Sequence, residues 1–446
     1  MSEMKDSGIE WIGDIPINWD VNKIKFITKI PITDGPHETP VFVDEGVPFY
    51  SVDGIQNEHI VYEPCRYIST EDADRYDRKI IPSYGDILMG KAASVGKIAI
   101  IDRNIRMQVW SPLAIIRTNE NFVHNKFLKY YLLSDSAQIE IDLKSTTNTQ
   151  KNIAMEDIEN IILPVPKVKE QQMIASLLDN KVGKIGEILN DLNKQIEILN
   201  KYKKSLITEI VTNGLNPNVE MKESEINCIG RIPKHWKIKR TLNMLSMPIT
   251  DGPHTTPDLY DEGIPFVSAE AVSCGNGKID FDHIRGYISD EFYKECCKKY
   301  IPKKYDIYMI KSGATTGRVA IVETEDIFTI WSPLAVFRCN EQEILYKFMF
   351  YSLQSTSFQV QVENNWTYGT QQNISMRTLE HLKICQPPME EQKQIVDYLD
   401  KKCKEIDKLI EDKQVQIEKM EKYKKSLIYE YVTGKKRVKG AEELYG

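Results

Sequence analysis

Hydrophobic positions along this chain fall into three successive patterns. Short apolar runs broken by Gly, Pro and Asp occupy residues 7–165, and those at 47–52, 98–101 and 113–117 read as strands. Phe127, Leu128, Tyr131 and Leu132 then fall at helical spacing and predict a helix over residues 125–134. Beyond Pro164 and Pro166 the pattern becomes a heptad. Leu178, Val182, Ile185, Leu189, Leu192, Ile196, Leu199 and Leu206 alternate steps of four and three, with Lys203 as the one break. This is the a/d signature of a coiled-coil helix, and about forty such residues would span roughly 60 Å.

The same three patterns then occur again. Strand-like runs at 264–268, 319–322 and 334–338 precede a helical stretch at 346–353, then Pro387 and Pro388. A second heptad follows through Leu399, Cys403, Ile406, Ile410, Ile417, Met420, Leu427 and Tyr431, interrupted by Lys413 and Lys424. Gly214, Asn216 and Pro217 stop the first helix. Two apolar stripes in one chain can be buried against each other, which predicts an antiparallel pair with a globular part at each end. The alternative is that each helix packs on its own globular part.

The letters recur with the pattern. TDGPHETP from Thr33 returns as TDGPHTTP from Thr250, an offset of 217. WSPLA from Trp110 returns from Trp331, and Tyr202-Lys203-Lys204-Ser205-Leu206-Ile207 returns at 423–428, both at an offset of 221. The chain is therefore a tandem repeat with pseudo-two-fold character, of α+β class: two similar mixed α/β domains and two long helices.

Composition changes this picture little. No apolar run approaches the about eighteen residues of a membrane span, and the N-terminus lacks the order of a signal peptide. The expected compartment is the cytoplasm. Of eight cysteines only Cys65 lies in the first copy, so neither a disulfide framework nor a structural zinc site repeats with the repeat. Net charge is -7, yet residues 413–440 hold nine Lys/Arg against three Glu. A local basic stretch can meet phosphate or an acidic partner whatever the sum.

A search for catalytic groups finds little. The GKAASVGK stretch at 90–97 has five residues between its glycines and Ile98 where a phosphate loop needs Ser or Thr. Its counterpart, SGATTGR at 312–318, lacks the lysine, so a glycine-rich turn between strands is expected, touching backbone phosphates. Asp34 and His37 return as Asp251 and His254, but D-G-P-H spacing suits a tight turn better than acid–base or metal work. The polar run at 145–152 matches 368–373. Its amides and hydroxyls can bond base edges or phosphates; the plainer possibility is a solvated turn whose Asn152 or Asn373 caps the next helix. Trp366, beside this run, has no counterpart and is either a copy-specific reader or a packed aromatic.

The order of segments resembles something known. PVPKVKEQQMIASLLD at 164–179 and PPMEEQKQIVDYLD at 387–400 each lead from prolines through Glu-Gln into a heptad helix ending in Val-Thr-(x)-Gly. SGIEWIGDIPINW near the start is echoed by SEINCIGRIPKHW from Ser224. Together these resemble the specificity (S) subunit of type I restriction–modification systems over almost the whole chain. Cys228 in place of Trp11, and Lys413 in place of Leu192, depart from the pattern between copies, and Lys413 suggests a locally polar seam where a partner helix docks.

The resemblance implies a domain order: a first target-recognition domain at 1–165, a central spacer helix at 166–214, a second recognition domain at 215–386, and a C-terminal spacer helix with basic tail at 387–446. It implies a non-catalytic subunit that reads a bipartite DNA site and docks two modification subunits on its helices. S-adenosylmethionine would enter through those subunits, ATP and Mg2+ through restriction subunits, with no cofactor bound by this chain and no membrane partner. Candidate DNA contacts are Thr33, Asp34, His37, Thr39, Lys91, Ser94, Lys97, Thr147, Asn148, Gln150 and Lys151 in the first copy. In the second they are Thr250, Asp251, His254, Thr256, Lys311, Ser312, Thr315, Arg318, Trp366, Tyr368, Gln371 and Gln372. Candidate spacer and docking residues are Leu178, Ile185, Leu192, Leu199, Tyr202, Lys203 and Leu206, with Leu399, Ile406, Lys413, Met420, Tyr423, Lys424 and Leu427. Residues 51–65 and 268–285 bear little relation to each other, which suits unlike half-sites and a non-palindromic target. The competing expectation is a tandem coiled-coil interaction scaffold without DNA specificity.

Overall fold

The computed structural model describes residues 3–147, 150–368 and 371–445, with only the backbone of Tyr368. The chain forms two compact units: Met1–Leu192 with Gln414–Gly446, and Asn193–Lys413. The division falls inside both long helices rather than at the prolines, because each half-helix belongs to a different core.

In the first unit a four-stranded antiparallel sheet runs in the order Ile98–Ile100, Ile87–Gly90, Leu113–Ile116, Thr33–Asp34. The two central strands are buried at every position, which is why they read as continuous rather than alternating apolar runs. Successive side chains point to opposite faces. Ile87, Met89, Ala114 and Ile116 enter one core, with Phe127, Leu128 and the long-helix residues Ile174, Leu178, Ile185, Leu427 and Tyr431. Leu88, Ala99, Leu113 and Ile115 enter another, with Tyr50, Val52, Ile55 and Ile60. A second sheet orders Gln108–Val109, Val47–Tyr50, Arg66–Ile68 and Phe42–Val43.

The second unit repeats this plan. Its sheet runs Val319–Ile321, Ile307–Ile310, Leu334–Phe337, Thr250–Asp251, also wholly antiparallel. Ile307, Met309, Ala335 and Phe337 face the core that takes Leu206, Ile210, Leu399 and Ile406 from the long helices. Tyr308, Ile310, Leu334 and Val336 face the core built by Val267, Ala271 and Val272.

The long helices cover Val168–Asn213 and Met389–Val432. Within each unit they run antiparallel. Lys203 bonds Asp407 at 2.6 and 2.8 Å and Lys413 bonds Gln195 in the second unit, while Lys181 lies over the Tyr431 ring in the first. Leu178, Ile185, Leu192, Leu206, Leu399, Ile406 and Leu427 are buried, and Leu199 and Met420 half-buried. Of the two arrangements open from sequence, both hold in part: the stripes face each other, and their ends also complete the module cores.

Each helix start is bracketed by its Glu-Gln pair. The Gln171 amide, wholly buried, donates to the carbonyls of Phe122 and Pro166 and accepts from the His124 N–H; Gln392 does the same with Glu343, Pro387 and Leu345. Glu170 is also fully buried and is held by Trp19, Arg437 and Tyr445. The basic tail is thus docked on the first unit: Arg437 pairs with Glu170, and Lys435 bonds the Asp14 carbonyl. No described helix is long and apolar enough to cross a membrane.

Candidate nucleic-acid interface

The TDGPH and WSPLA motifs recur together because they touch. Thr33–Asp34 pairs with Ile115 and Ala114, and the Ser111 N–H donates to the Pro36 carbonyl at 3.1 Å. A Cβ on Gly35 would stand 1.7 Å from the Val109 carbonyl oxygen, and one on Gly252 would stand 2.0 Å from that of Ile330. The motif is not the tight turn its spacing suggests: a strand ends at Asp34 and the chain bends only at His37–Glu38, while the glycine supplies clearance for a crossing backbone.

That approach buries Asp34, whose carboxylate meets Lys79 at 2.5 Å, Lys91 at 3.1 Å and His37 at 3.2 Å. Asp251 repeats the node with Lys299, Lys311 at 3.3 Å and His254 at 3.2 Å. Burial pushes the Asp34 carboxyl up, but hydrogen bonds and attraction from Lys79 and Lys91 outweigh it and hold it below the ordinary carboxylate value. A depressed folded value means stability that is present above the unfolded pKa and lost as pH falls through the folded one. Asp34→Asn should therefore flatten the acid limb of the first unit's stability curve below about pH 4. Chemical denaturation across that range checks it; an unchanged limb would refute the linkage.

The node anchors the glycine-rich turn, which is a hairpin connection between Ile87–Gly90 and Ile98–Ile100. The Lys91 carbonyl accepts from the Ile153 N–H at 2.9 Å, and the Ala93 N–H donates to the Lys151 carbonyl at 3.0 Å. In the second unit the Ile374 N–H donates to Lys311 and the Gly313 N–H to Gln372. The polar runs are themselves hairpins, Thr146–Thr147 with Lys151–Asn152 and Thr367–Tyr368 with Gln372–Asn373. Neither Asn152 nor Asn373 caps the helix after it: Ala154 holds the first N-cap position without a side-chain cap, and the Ser375 hydroxyl caps the second by accepting from the Thr378 N–H. Three segments far apart in sequence thus converge at one place in each unit: the DGPH segment, the glycine-rich turn and the polar hairpin.

Their side chains divide into inward and outward sets. Lys91 and Lys311 are 13% and 12% exposed and turned to the buried aspartates. Lys97 donates to the Ile55 carbonyl and Arg318 to that of Ser273, each tying the turn to the divergent insert of its own copy. Lys151 pairs with Asp142. Ser94, Ser312 and Thr315 are half-exposed in the turns, and Thr33 and Thr250 lie in the edge strands. His37, Thr39, Thr147, Gln150, His254, Thr256 and Gln371 are exposed, and Gln372 is half-buried. Trp366 packs half-buried against the second unit's core, its indole N–H unpartnered. Asn148 and the Tyr368 side chain lie outside the described residues. Outward hydroxyls, amides and imidazoles on a frame of satisfied charges can bond phosphates and base edges.

Sequence reasoning missed Lys79 and Lys299, although RKII and KKYI carry them in register. It also missed the pairs that half-buried Arg117 and Arg338 make at 2.7 Å with buried Asp86 and Asp306. On the helices, Tyr202 and Tyr423 are 54% and 52% exposed. Lys204, Ser205 and Thr208 line an open groove of about 760 Å³ in the second unit.

Comparison with known proteins gives one consistent family. A family model described as type I restriction modification DNA specificity domain matches residues 16–206 and 253–419. A putative type I restriction enzyme MjaX specificity subunit of Methanocaldococcus jannaschii is 30% identical over 440 residues, covering 96% of both chains. The MjaVIII specificity subunit of the same organism is 26% identical over 95% of this chain and 94% of its own. A solved chain from work on complex assembly and conformational transition of the type I R-M system shares the fold at TM-score 0.65. It has 15% identity and covers 94% of this chain and 98% of its own.

Proposed function

Because this chain belongs to the family of type I restriction–modification DNA specificity subunits, we propose that it selects a bipartite, non-palindromic DNA site and positions the enzymes that act there. Each unit meets one half-site at its DGPH segment, glycine-rich turn and polar hairpin, and the divergent insert tied to that turn distinguishes one half-site from the other. The paired helices set the half-site separation and dock two modification subunits. Adenine methylation, with S-adenosylmethionine, belongs to those partners, which extrude the target base from the duplex. ATP- and Mg2+-dependent translocation and cleavage belong to restriction subunits. This chain binds no cofactor and catalyses nothing by itself.

One observation carries this reading. The central four-stranded sheets of the two units agree strand for strand, yet their inserts do not. Residues 51–65 hold a hairpin of Ile55–Gln56 with His59–Ile60, whereas the second copy has a helix, Ala269–Cys274, and a 3-10 turn, Phe281–His283. Equal frames with unequal inserts support two different half-sites.

Methylation mapping of cells with and without the gene, active partners present, should show one bipartite adenine motif lost with the chain. A palindromic or unchanged methylome would refute the reading. In vitro, affinity of the assembled complex should fall about 10³-fold or more between 50 and 200 mM salt, if it contacts six or more phosphates. A salt-independent affinity would exclude a phosphate-dominated interface.

A further inference from the structure

The two copies hold their inserts by different means. At the insert tips, Asn57 and Glu58 have φ of 48° and 66°, and Asn276 and Gly277 have φ of 45° and 92°. These are matching left-handed positions. Glycine adopts that backbone freely, whereas a glutamate there is strained, and such strain persists where the side chain is needed. The Glu58 carboxylate receives Lys424 of the second long helix at 2.5 Å, the pair 26% and 21% exposed. In the second unit the tip rests on an apolar ring instead: a Cβ on Gly277 would stand 2.9 Å from Phe350. At the repeat position of Phe350 the first copy has Lys129, itself 8% exposed.

The repeat also explains why Lys424 is available. Its counterpart Lys203 bonds Asp407 across the helix pair at 2.6 and 2.8 Å. The residue at the repeat position of Asp407 is Gly186, which has no side chain to offer. A Cβ at Gly186 would meet nothing within 4 Å, so packing does not demand the glycine. Lys97 meanwhile ties the same insert to the glycine-rich turn.

We propose that Lys424 and Glu58 are positioning residues that lock the first module's insert onto the second long helix, and that Gly186 is what releases Lys424 for this role. The insert thereby links the DNA-facing turn to the helix that carries the partner-docking residues, in one module only. Recognition of one half-site then depends on an ion pair, and of the other on an apolar contact. This rests on the half-site reading above.

Glu58→Gly tests it without risk to the fold, since glycine suits that backbone; Glu58→Gln removes only the charge. Gly186→Asp should draw Lys424 away without touching the insert. In the complex with modification subunits, each variant should lose about fivefold in discrimination against base changes in one half-site and none in the other. The swap of Glu58→Lys with Lys424→Glu should restore it. In the free chain, amides of residues 55–60 should exchange faster in Glu58→Gln and at the normal rate in the swap. Equal losses at both half-sites, no loss, or failure of the swap would overturn the proposal. If the unmodified complex reads no bipartite site, the half-site assignment itself falls; if it does and the variants leave discrimination unchanged, only the latch falls.

Discussion

Arg437→Ala should lower the stability of the first unit by about 3–5 kcal/mol, because it strands a buried carboxylate. Glu170 is fully buried on every side chain atom that matters to the pair, and Arg437 is 10% exposed, with N–H···O distances of 2.6 and 3.1 Å. The Trp19 indole at 3.1 Å and the Tyr445 hydroxyl at 2.7 Å would remain, but neither neutralises the charge. The guanidinium also lies over the Trp19 and Tyr445 rings at 5.9 and 5.4 Å, so packing is lost with charge. The second unit offers an internal reference. There Glu391 is 36% exposed and is held by His235 at 2.6 Å and Trp236 at 2.9 Å, so it can rehydrate. Calorimetry should show the first unit's transition moving down by about 10 °C with the second unchanged. Adding Glu170→Gln should recover part of the loss. A shift of a degree or two would mean that the carboxylate is not dependent on its arginine.

Gly35→Ala should be still more damaging, at about 4 kcal/mol or beyond. The added carbon would stand 1.7 Å from the Val109 carbonyl oxygen and 2.6 Å from its carbon, and both are backbone atoms in a paired strand. No rotamer change relieves such a clash. The expected outcome is rapid proteolysis of the first unit and an intact second unit; Gly252→Ala should reverse the pattern. Gly186→Ala is the contrast. It sits mid-helix with nothing within 4 Å of the new atom, so it should be neutral or stabilise by up to about 1 kcal/mol. A tolerated Gly35→Ala would show that the TDGPH and WSPLA segments can separate without loss of fold.

The doubled frame was legible because repetition needs no structure to be seen. The heptads were legible because burial has a period, and Leu178, Ile185, Leu399 and Leu427 are buried where that period places them. The hairpin before Ile98 was also within reach of local rules. What lay beyond them is pairing across distance. Lys79 stands 45 residues from Asp34, and nothing local distinguishes it from the solvated Lys/Arg around it. Gly35 looked like a bend because the strand that crosses it lies 74 residues on. The docking of the basic tail was out of reach because Glu170, which neutralises Arg437, is 267 residues earlier. The prolines at 164–166 and 387–388 mark where one element gives way to another, whereas compactness divides each long helix at its middle.

The sheet in each unit has two cores, one on either face. The insert contributes Val52, Ile55 and Ile60 to one of them in the first unit, and the long helices contribute only to the other. In the second unit Val267, Ala271 and Val272 are likewise partitioned from Leu206 and Leu399. Such a partition has an evolutionary consequence. Mutations that rebuild the insert are absorbed by a small core that shares no side chain with the helix-facing one, so on the half-site reading proposed above new specificities can be tried without repaying the cost of a new scaffold. On the same reading, the insert apart from its tip is free to diverge as fast as selection on the recognised sequence demands, while the opposite face of the same strands stays under the slower constraint of packing on the long helices.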